Sequence, residues 1–552
     1  MIKQASIQWK NGQPTSTEFD DVYFSSTNGI SETRHVYLER NNLQQRWQQL
    51  TKNHFTIAET GFGNGLNFLC AWDLWNKNSK AGQTLHFLSV EAFPIGHKDL
   101  EKILSKWPEL SYLKEQLLGV YPPLVSGWHT LHFPAKNQDH GDITLHLYFG
   151  HINEWLPLIQ GAVDRKPIDA WFLDGFIPSP CIWNDDSFLQ MARLTPPNGT
   201  VASFSSADFI SQGLQAAGFR LRKINGYGKK RKMLTAKQEY CNGPQPQPYF
   251  KSRPWLLAPS RTSAKNKTAI VIGAGIAGCS TAYSLAKRGF KVTLIEKGDA
   301  AANGASGNDQ GVLYAKLSTK LNLQSQFYLS GYLYSLHLLK SELSKQHWND
   351  CGVLQLALNE KEKNRQTDFC QHNQLNDIIT AVNAKQASEL AGIPLEHSGL
   401  YFKNGAWVHP KHWCNELINH KNIKMYVNHH AVNIEQDNKE QWNVSIKNGA
   451  HFKAEVLVVC SANESKLLSP LSFLPTKPIA GQVSQIKGQN LNLKTVLCGD
   501  SYITPSHNGN TNFGASYRVN SECTLETKED HLHNLDKLKQ NFPTVAEQLN
   551  TQ

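Results

Sequence analysis

Acidic residues stand at the ends of three apolar segments in the first half of the chain. Glu59 closes FTIAE, Glu91 closes LHFLSVE and Asp174 closes IDAWFLD. Because ligands of an open parallel sheet bind in a crevice outside the carboxyl ends of its strands, we expect Asp174 to lie over that crevice. One such acid can accept hydrogen bonds from ribose hydroxyls, and another can orient an amine or take its proton. We predict that Asp174 is catalytic; the alternative is that it only caps the loop that follows.

A glycine-rich turn follows Glu59 directly. Its glycines, Gly61, Gly63 and Gly65, complete the pattern E-x-G-x-G-x-G, and the helical segment LNFLCA begins immediately afterwards. Glycines let the backbone approach a ligand, and a helix N-terminus attracts its charged groups. The spacing resembles the first motif of class I methyltransferases, so we predict that Glu59, the three glycines and Glu91 bind S-adenosylmethionine. The alternative is a tight turn in another α/β fold, with Glu91 merely solvated.

A complete dinucleotide-binding pattern opens the second half of the chain. The segment TAIVI runs into GAGIAG, which contains Gly273, Gly275 and Gly278, and the later segment KVTLIE ends in Glu296. In this pattern the first glycine makes the tight turn and the second admits the pyrophosphate. The third lets helix and strand pack closely, and the acid binds the adenosine ribose. These four residues are predicted to bind a dinucleotide, either NAD or FAD.

A second glycine-rich loop, GASGNDQG, follows soon after the acidic strand end. It contains Ser306, Gly307 and Gly311. Such a loop is common where the backbone wraps a flavin and its phosphates, and it favours FAD over NAD. We therefore predict that these three residues also bind FAD; a second loop that contacts phosphate alone is the alternative.

Two doubly wound α/β sheets are required to hold these two sets of residues. Each apolar strand that runs into a glycine turn and a helix starts its own sheet. A chain of 552 residues is also too long for one core. Between the two patterns lies a segment rich in Pro, Gln, Ser and basic residues, without apolar periodicity. We predict a first domain over residues 1–245, a linker over 246–266 and a second domain over 267–552.

The net charge bears on the partner of the protein, and the cysteines bear on its metal content and its compartment. The formal net charge of +10 favours a polyanionic partner, although a mildly basic enzyme without one is the alternative. The basic run 229–232 could bind phosphate or form a solvated strand edge. The ten cysteines form no CxxC pair and the N-terminus has no apolar run, so we expect no metal and a cytoplasmic location. No stretch of about 18 apolar residues indicates a membrane span.

Both halves of the chain resemble one family, the bifunctional tRNA 5-methylaminomethyl-2-thiouridine biosynthesis proteins. The resemblance spans almost the whole chain and follows the family's order. It is carried by FDDVYFS, ETRHVYLERNNL, ETGFGNGLNFL, DAWFLDGF, GASGNDQG, CGVLQLA, GDSYITPS and FGASY.

The resemblance implies a fold and two successive reactions. It implies an α/β architecture: a class I methyltransferase domain with a Rossmann-like fold, then an FAD-binding Rossmann domain with an inserted antiparallel-sheet substrate domain, as in glycine oxidase. The partner is a tRNA with 5-carboxymethylaminomethyl-uridine, usually 2-thiolated, at the wobble position. The FAD domain removes the carboxymethyl group, and the first domain then methylates the remaining aminomethyl group with S-adenosylmethionine. We expect a monomer.

Several positions depart from the family's pattern. His151 stands where the family has an acid near the adenine, Asp309 where a basic residue is common, and Ala480 where arginine is expected. The loop after Asp174 is shorter, and we expect the second domain to be C-terminally incomplete. Three alternatives stay open: a methyltransferase with a degenerate flavin domain, a tRNA-binding protein without catalysis, and an amine oxidase for free small molecules fused to a methyltransferase.

Overall fold

The computed structural model describes residues 2–10, 12–23, 29–137, 139–159, 167–175, 183–227, 232–239, 266–373, 375–488, 491–523 and 525–548. The chain divides into two compact units, Met1–Arg261 and Thr262–Gln552. Residues 176–182 of the loop after Asp174, residues 229–231 of the basic run and almost all of the predicted linker lie outside the described residues.

The first unit is built on an eight-stranded sheet, with a three-stranded sheet at the N-terminus. A π-helical turn, Arg34–Glu39, lies between its first two helices. Its strands and helices are β1 (Ile7–Lys10), β2 (Gln13–Ser16), β3 (Asp21–Val22), α1 (Gly29–Thr33), α2 (Leu43–Gln48), β4 (His54–Glu59), α3 (Leu66–Asn78), β5 (Thr84–Glu91), α4 (His97–Leu104), α5 (Ser111–Val120), β6 (Gly127–Phe133), β7 (Asp142–Phe149), α6 (Ile152–Leu158), β8 (Ala170–Leu173), α7 (Asp185–Leu194), β9 (Thr200–Ser203), α8 (Asp208–Ala216), β10 (Phe219–Asn225) and β11 (Lys232–Gln238).

The topology of the large sheet puts the three predicted strand ends side by side. The strand order is β10-β11-β9-β8-β4-β5-β7-β6, and β4 pairs in parallel with both β5 and β8. All four residues of β8 are buried, as expected for a central strand covered on both faces. Trp171 and Phe172 belong to different core clusters, so helices cover both faces. Glu59 at the end of β4, Glu91 at the end of β5 and Asp174 directly after β8 therefore lie at the same crevice of the sheet.

The second unit contains the remaining nineteen named strands and seven helices of the described residues. They are β12 (Thr268–Ile272), α9 (Ile276–Lys287), β13 (Lys291–Ile295), β14 (Gly311–Leu313), α10 (Leu323–Glu342), β15 (Trp348–Asn349), β16 (Val353–Leu356), α11 (Glu360–His372), β17 (Ile379–Val382), α12 (Ala384–Ala391), β18 (Gly399–Phe402), β19 (Ala406–Val408), α13 (Pro410–Ile418), β20 (Ile423–Tyr426), β21 (Ala431–Gln436), β22 (Trp442–Ile446), β23 (His451–Ala454), β24 (Val456–Val459), β25 (Ile479–Ala480), β26 (Val483–Lys487), β27 (Val496–Cys498), β28 (Tyr502–Ile503), β29 (Asn510–Gly514), β30 (Arg518–Val519), α14 (Lys528–Asn541) and α15 (Pro543–Gln548).

Two sheets dominate the second unit. A parallel sheet with the order β20-β13-β12-β24 holds the dinucleotide pattern at its centre. A seven-stranded sheet with the order β17-β18-β16-β27-β28-β29-β26 corresponds to the predicted substrate sheet. This sheet is antiparallel except between β16 and β27, which run in parallel. The chain leaves the sheet after β16 and returns much later, so a long crossover can join these two strands in parallel.

Two candidate nucleotide-binding sites

The turn after β4 brings the backbone of the first unit close to Asp174. Gly61, Gly63 and Gly65 lie between β4 and α3. A Cβ atom at position 61 would stand 3.0 Å from the main-chain oxygen of Asp174, so the close approach of these two loops requires glycine. Gly63 has a φ of +52°, and a Cβ there would meet no atom within 4 Å. The turn therefore leaves an open surface beside the N-terminus of α3.

Main-chain amides hold Glu91 at the end of β5. Its Oε2 accepts a hydrogen bond from the Gly63 nitrogen at 2.7 Å, and its Oε1 accepts one from the Phe93 nitrogen at 2.8 Å. Burial raises the pKa of Glu91 to about 7, although these amide donors favour its ionised form. The hydrogen bond from Gly63 thus connects Glu91 directly to the glycine turn.

An asparagine that the sequence reasoning missed connects two of the predicted acids. Asn67, in the first turn of α3, donates from Nδ2 to Asp174 Oδ2 at 2.6 Å and to Glu59 Oε1 at 2.9 Å. Asp174 Oδ1 accepts a hydrogen bond from the Gly175 nitrogen at 2.9 Å. The Thr33 hydroxyl donates to Asn67 Oδ1 at 2.8 Å. The only signal in the sequence is a polar residue inside the otherwise apolar start of this helix.

Glu59 lies behind the turn and exposes none of its surface to solvent. The Ser89 hydroxyl is hydrogen-bonded to its Oε2 at 2.8 Å. Burial and, after it, the charge of Asp174 raise the pKa of Glu59 well above its usual range. Burial and Asp174 also raise the pKa of Tyr37, whose hydroxyl is hydrogen-bonded to Asp174. The structure therefore gathers one fully buried and one half-buried acid around Asn67.

The first crevice fits S-adenosylmethionine. Our prediction is that the Glu91 carboxylate accepts hydrogen bonds from the ribose hydroxyls, and the open surface over Gly63 would let a ligand lie against the backbone. The Asn64 Nδ2 atom is buried and has no hydrogen-bond partner among the described residues. A ligand acceptor in the turn would satisfy that amide.

The ring of His151 lies beside this crevice, where the family pattern has an acid. His151 precedes α6, and its ring contacts Phe93 edge to face, with 6.4 Å between the ring centroids. Phe93 also contacts Phe19, at 5.4 Å between the centroids. A cluster of three aromatic rings thus lies next to the loop that holds Glu91.

The raised pKa of Glu91 makes a prediction for cofactor affinity. Ribose hydroxyls donate hydrogen bonds to a carboxylate, so protonation of Glu91 competes with binding as the pH falls through about 7. We expect the Kd for S-adenosylmethionine to rise about tenfold from about pH 8 to about pH 6. Calorimetric titration at both pH values measures this change.

The variant Glu91→Gln supplies the control for that titration. The amino group of the cofactor also titrates near neutral pH, and the variant retains that contribution while it lacks the carboxylate. An equal pH dependence in the wild type and in Glu91→Gln would contradict the assignment of Glu91 to the ribose.

The second unit holds its strand-end acid in the same way as the first. Gly273, Gly275 and Gly278 form the turn between β12 and α9. Glu296 Oε2 accepts a hydrogen bond from the Ala274 nitrogen at 2.8 Å, and its Oε1 accepts one from the Gly298 nitrogen at 2.8 Å. A Cβ at position 278 would stand 1.7 Å from the Gly273 oxygen, so helix and strand pack at this distance only with glycine. The predicted residues of this turn lie together.

The second glycine-rich loop meets the N-terminus of α9. The Ser306 hydroxyl accepts a hydrogen bond from the Ile276 nitrogen at 3.0 Å, and a Cβ at position 275 would meet only this hydroxyl, at 3.3 Å. Gly307 ends the helical turn that contains Ser306, and Gly311 begins β14. The Ser306 loop thus lies against the glycine turn after β12, and the two together fit a dinucleotide. That all seven predicted residues bind FAD remains a prediction.

Amide side chains accommodate Asp309, the acid that departs from the family's pattern. Asp309 Oδ2 accepts hydrogen bonds from Gln485 Nε2 at 3.0 Å and from Asn512 Nδ2 at 3.2 Å. His409 donates from Nδ1 to the main-chain oxygen of Asp309. The neighbouring Gln310 is buried and accepts a hydrogen bond from Asn512 at 2.6 Å. This loop is therefore fixed to the seven-stranded sheet by β26 and β29.

Ala480, the third departure, pairs with an arginine. It lies in β25 opposite Arg518 of β30. The Arg518 Nη2 atom forms an ion pair with Asp530 Oδ2 at 3.2 Å. An arginine thus stands next to the position where the family pattern places one.

Within the described residues, the structure offers neither a membrane-spanning helix nor a metal site. None of their helices is long and apolar enough to cross a membrane. In the same part of the chain, no group of three or more histidine, cysteine, aspartate or glutamate residues is arranged to hold a metal ion.

Sequence comparisons identify the two units. The family described as FAD-dependent oxidoreductase matches residues 268–551, and the one described as S-adenosyl-L-methionine-dependent methyltransferase matches residues 108–239. These matches confirm the predicted α/β fold class and both predicted cofactors. They also resolve the choice between NAD and FAD that the dinucleotide pattern left open.

Relatives match the chain over nearly its whole length. The tRNA 5-methylaminomethyl-2-thiouridine biosynthesis bifunctional protein MnmC of Ectopseudomonas mendocina is 39% identical over 99% of this chain and 81% of its own. The protein of the same name from Chromobacterium violaceum is 39% identical over 99% of this chain and 81% of its own. The one from Pseudomonas aeruginosa is 38% identical over 99% of this chain and 82% of its own. Among solved structures, glycine oxidase from Geobacillus kaustophilus is 20% identical, with a TM-score of 0.44 over 51% of this chain and 79% of its own.

Proposed function

The chain belongs to the MnmC family of bifunctional tRNA 5-methylaminomethyl-2-thiouridine biosynthesis proteins, and we propose which of its two units carries out which reaction. The second unit removes the carboxymethyl group from 5-carboxymethylaminomethyl-uridine, 2-thiolated or not, at the wobble position of tRNA. The first unit then methylates the aminomethyl group that remains. The observation that carries this proposal is the pair of nucleotide cradles, each with its glycine turn and an acid fixed by main-chain amides.

The oxidative half of the proposal is assigned to the cradle of the second unit. When bound, FAD supplies an acceptor for two electrons from the carbon next to the secondary amine. Water then releases the two-carbon group as an oxo acid and leaves the primary amine on the tRNA. The protein's contribution would be to hold the dinucleotide: Glu296 would bind the ribose, and the three glycines and the Ser306 loop would bind the pyrophosphate.

The methyl-transfer half is assigned to the crevice of the first unit. S-adenosylmethionine supplies an electrophilic methyl group, and the amine must present a neutral lone pair to it. Asp174 is half-buried at the end of β8 and accepts hydrogen bonds at both carboxylate oxygens. Its carboxylate can orient the amine and take its proton. Glu59, which has no exposed surface, acts on a bound cofactor through Asn67 and the turn rather than by contact.

The proposed setting is a cytoplasmic monomer whose partner is tRNA. The net charge of +10 favours a polyanion, and ten cysteines without a CxxC pair suit a reducing compartment. The domain bounds that we propose remain residues 1–245 and 267–552, with the linker between them.

Purified protein and tRNA carrying 5-carboxymethylaminomethyl-uridine test the proposal. We expect the visible spectrum to show flavin bands that stay with the protein through gel filtration. Without S-adenosylmethionine, nucleoside mass spectrometry should detect the aminomethyl product; with it, the methylaminomethyl product should replace the aminomethyl one. A tRNA that already carries the aminomethyl group should be methylated whether or not FAD is present.

The outcomes separate the proposal from its three alternatives. A protein that retains no flavin but methylates aminomethyl tRNA is a methyltransferase with a degenerate flavin domain. Salt-sensitive tRNA binding without any turnover indicates a binding protein. Oxidation of free glycine or sarcosine, with modified tRNA left unchanged, indicates an oxidase for small molecules.

A further inference from the structure

We propose that Asn67 is a positioning residue for methyl transfer. Its amide nitrogen donates one hydrogen bond to each of two acids, Glu59 and Asp174, and the second of these bonds orients the Asp174 carboxylate. The proposal rests on the proposed function of the first unit and adds a residue to it. Thr33 and Glu59 belong to the same arrangement, since each forms a hydrogen bond with the amide of Asn67.

The contacts of Asn67 determine which end of its amide faces the acids. The Thr33 hydroxyl donates to Asn67 Oδ1 at 2.8 Å, so the Nδ2 end points the other way. That nitrogen lies 2.6 Å from Asp174 Oδ2 and 2.9 Å from Glu59 Oε1. Asn67 is itself buried, with 8% of its surface exposed. An amide with a partner for each polar atom inside a protein cannot rotate freely.

The charges around Asn67 explain why an amide rather than a carboxylate occupies this position. Glu59 reaches it from β4, and Glu91 at the end of β5 lies close enough for its charge to act on Glu59. Tyr37 and Glu32, from the segment before β4, face the same group of acids. Four carboxyl groups near one buried point repel each other when ionised. Asn67 adds two donors and no charge, so it binds both acids without adding to this repulsion.

Asp174 gains a fixed orientation from this arrangement. Asn67 holds Oδ2 and the Gly175 nitrogen holds Oδ1, so the plane of the carboxylate is set from both sides. Asp174 keeps part of its surface exposed, which leaves its carboxylate accessible to an incoming amine. A general base must lie within hydrogen-bond reach of the proton that it takes, so a defined orientation bears directly on the rate.

Steady-state kinetics of four variants test the proposal, with S-adenosylmethionine and tRNA carrying 5-aminomethyl-uridine as substrates. Asn67→Asp keeps the shape of the side chain but loses both donors, and we expect kcat to fall at least about 30-fold. For Asn67→Ala we expect a fall of about tenfold, and for Thr33→Val about threefold. Asn76→Ala, on the same helix, is the control and should retain wild-type kcat. The KM for S-adenosylmethionine should change less than about threefold in all four.

The pH–rate profile distinguishes positioning from a merely structural role. Loss of the Nδ2 donor makes Asp174 easier to protonate, so the acidic limb of kcat should move to higher pH in Asn67→Ala and further in Asn67→Asp. Thermal unfolding and calorimetric S-adenosylmethionine titration check that the variants are folded. Where Asn67→Asp does not fold, Thr33→Val carries the test, because it removes only one hydroxyl.

Failure of this proposal is distinguishable from failure of the proposed function. A wild-type protein that methylates aminomethyl tRNA, together with folded Asn67 variants that retain kcat within threefold and an unshifted acidic limb, overturns the role of Asn67 alone. A folded wild-type protein that binds S-adenosylmethionine but does not methylate this tRNA overturns the methyl-transfer assignment, and the role of Asn67 with it.

Discussion

Asp174→Asn is expected to lower kcat for methyl transfer by about 10²–10⁴-fold. The amine of the aminomethyl group is protonated at neutral pH, and it attacks the methyl group only after it loses a proton. Asparagine cannot take that proton. It also cannot repeat the hydrogen bonds of the carboxylate, since both Asp174 oxygens accept from N–H groups and an amide has only one acceptor. Methylation of aminomethyl tRNA, followed by nucleoside mass spectrometry, measures the loss.

Binding and folding measurements show whether the lower kcat comes from the loss of catalysis and not from weaker cofactor binding or unfolding. The Kd for S-adenosylmethionine should stay within about threefold of the wild-type value, because Glu91 and the glycine turn supply the proposed contacts with the cofactor. The oxidative step in the second unit should be unaffected. Near-normal methyl transfer by a folded Asp174→Asn or Asp174→Ala protein would mean that Asp174 only caps the loop after β8.

The position of Asp174 could be predicted from the sequence because a strand end has a direction. Apolar runs that close in an acid identify central strands, and parallel strands bring their carboxyl ends to one crevice. The glycine turns were predictable for a similar reason, since the spacing of glycines, helix start and later acid is local in the chain. Both sets of residues lie where this reasoning expects them, at the ends of β4, β5, β8, β12 and β13.

Asn67 and its partners could not be predicted in this way. Thr33 precedes Asn67 by 34 residues and Asp174 follows it by 107, so no short motif contains all three. A polar residue in the first turn of a helix more often faces solvent, and its burial is known only once the sheet is assembled. Asp309 gives a second example, because its donors Gln485 and Asn512 come from strands about 180 and 200 residues later in the chain.

Gly278→Ala is expected to remove flavin from the protein. The new Cβ would stand 1.7 Å from the Gly273 oxygen and 3.4 Å from the Cys460 Cβ atom. No side-chain rotation relieves a clash with backbone, so α9 must move away from β12. That movement opens the turn that holds the pyrophosphate and displaces the amide of Ile276 from Ser306. We expect the Kd for FAD to rise more than about 100-fold, and overpacking to lower the free energy of unfolding by about 1–3 kcal/mol.

Gly331→Ala is the matched control for this variant. Gly331 lies within α10, where a Cβ would meet no atom within 4 Å, and alanine favours a helix. After gel filtration with excess FAD, Gly331→Ala should keep the wild-type ratio of flavin to protein absorbance, and Gly278→Ala should show almost no flavin. Because the first unit has its own core, Gly278→Ala should still methylate aminomethyl tRNA. Flavin retained at the wild-type ratio in Gly278→Ala would show that α9 can yield without opening the cradle, and the dinucleotide would then depend on Glu296 and the Ser306 loop more than on the packing of this turn.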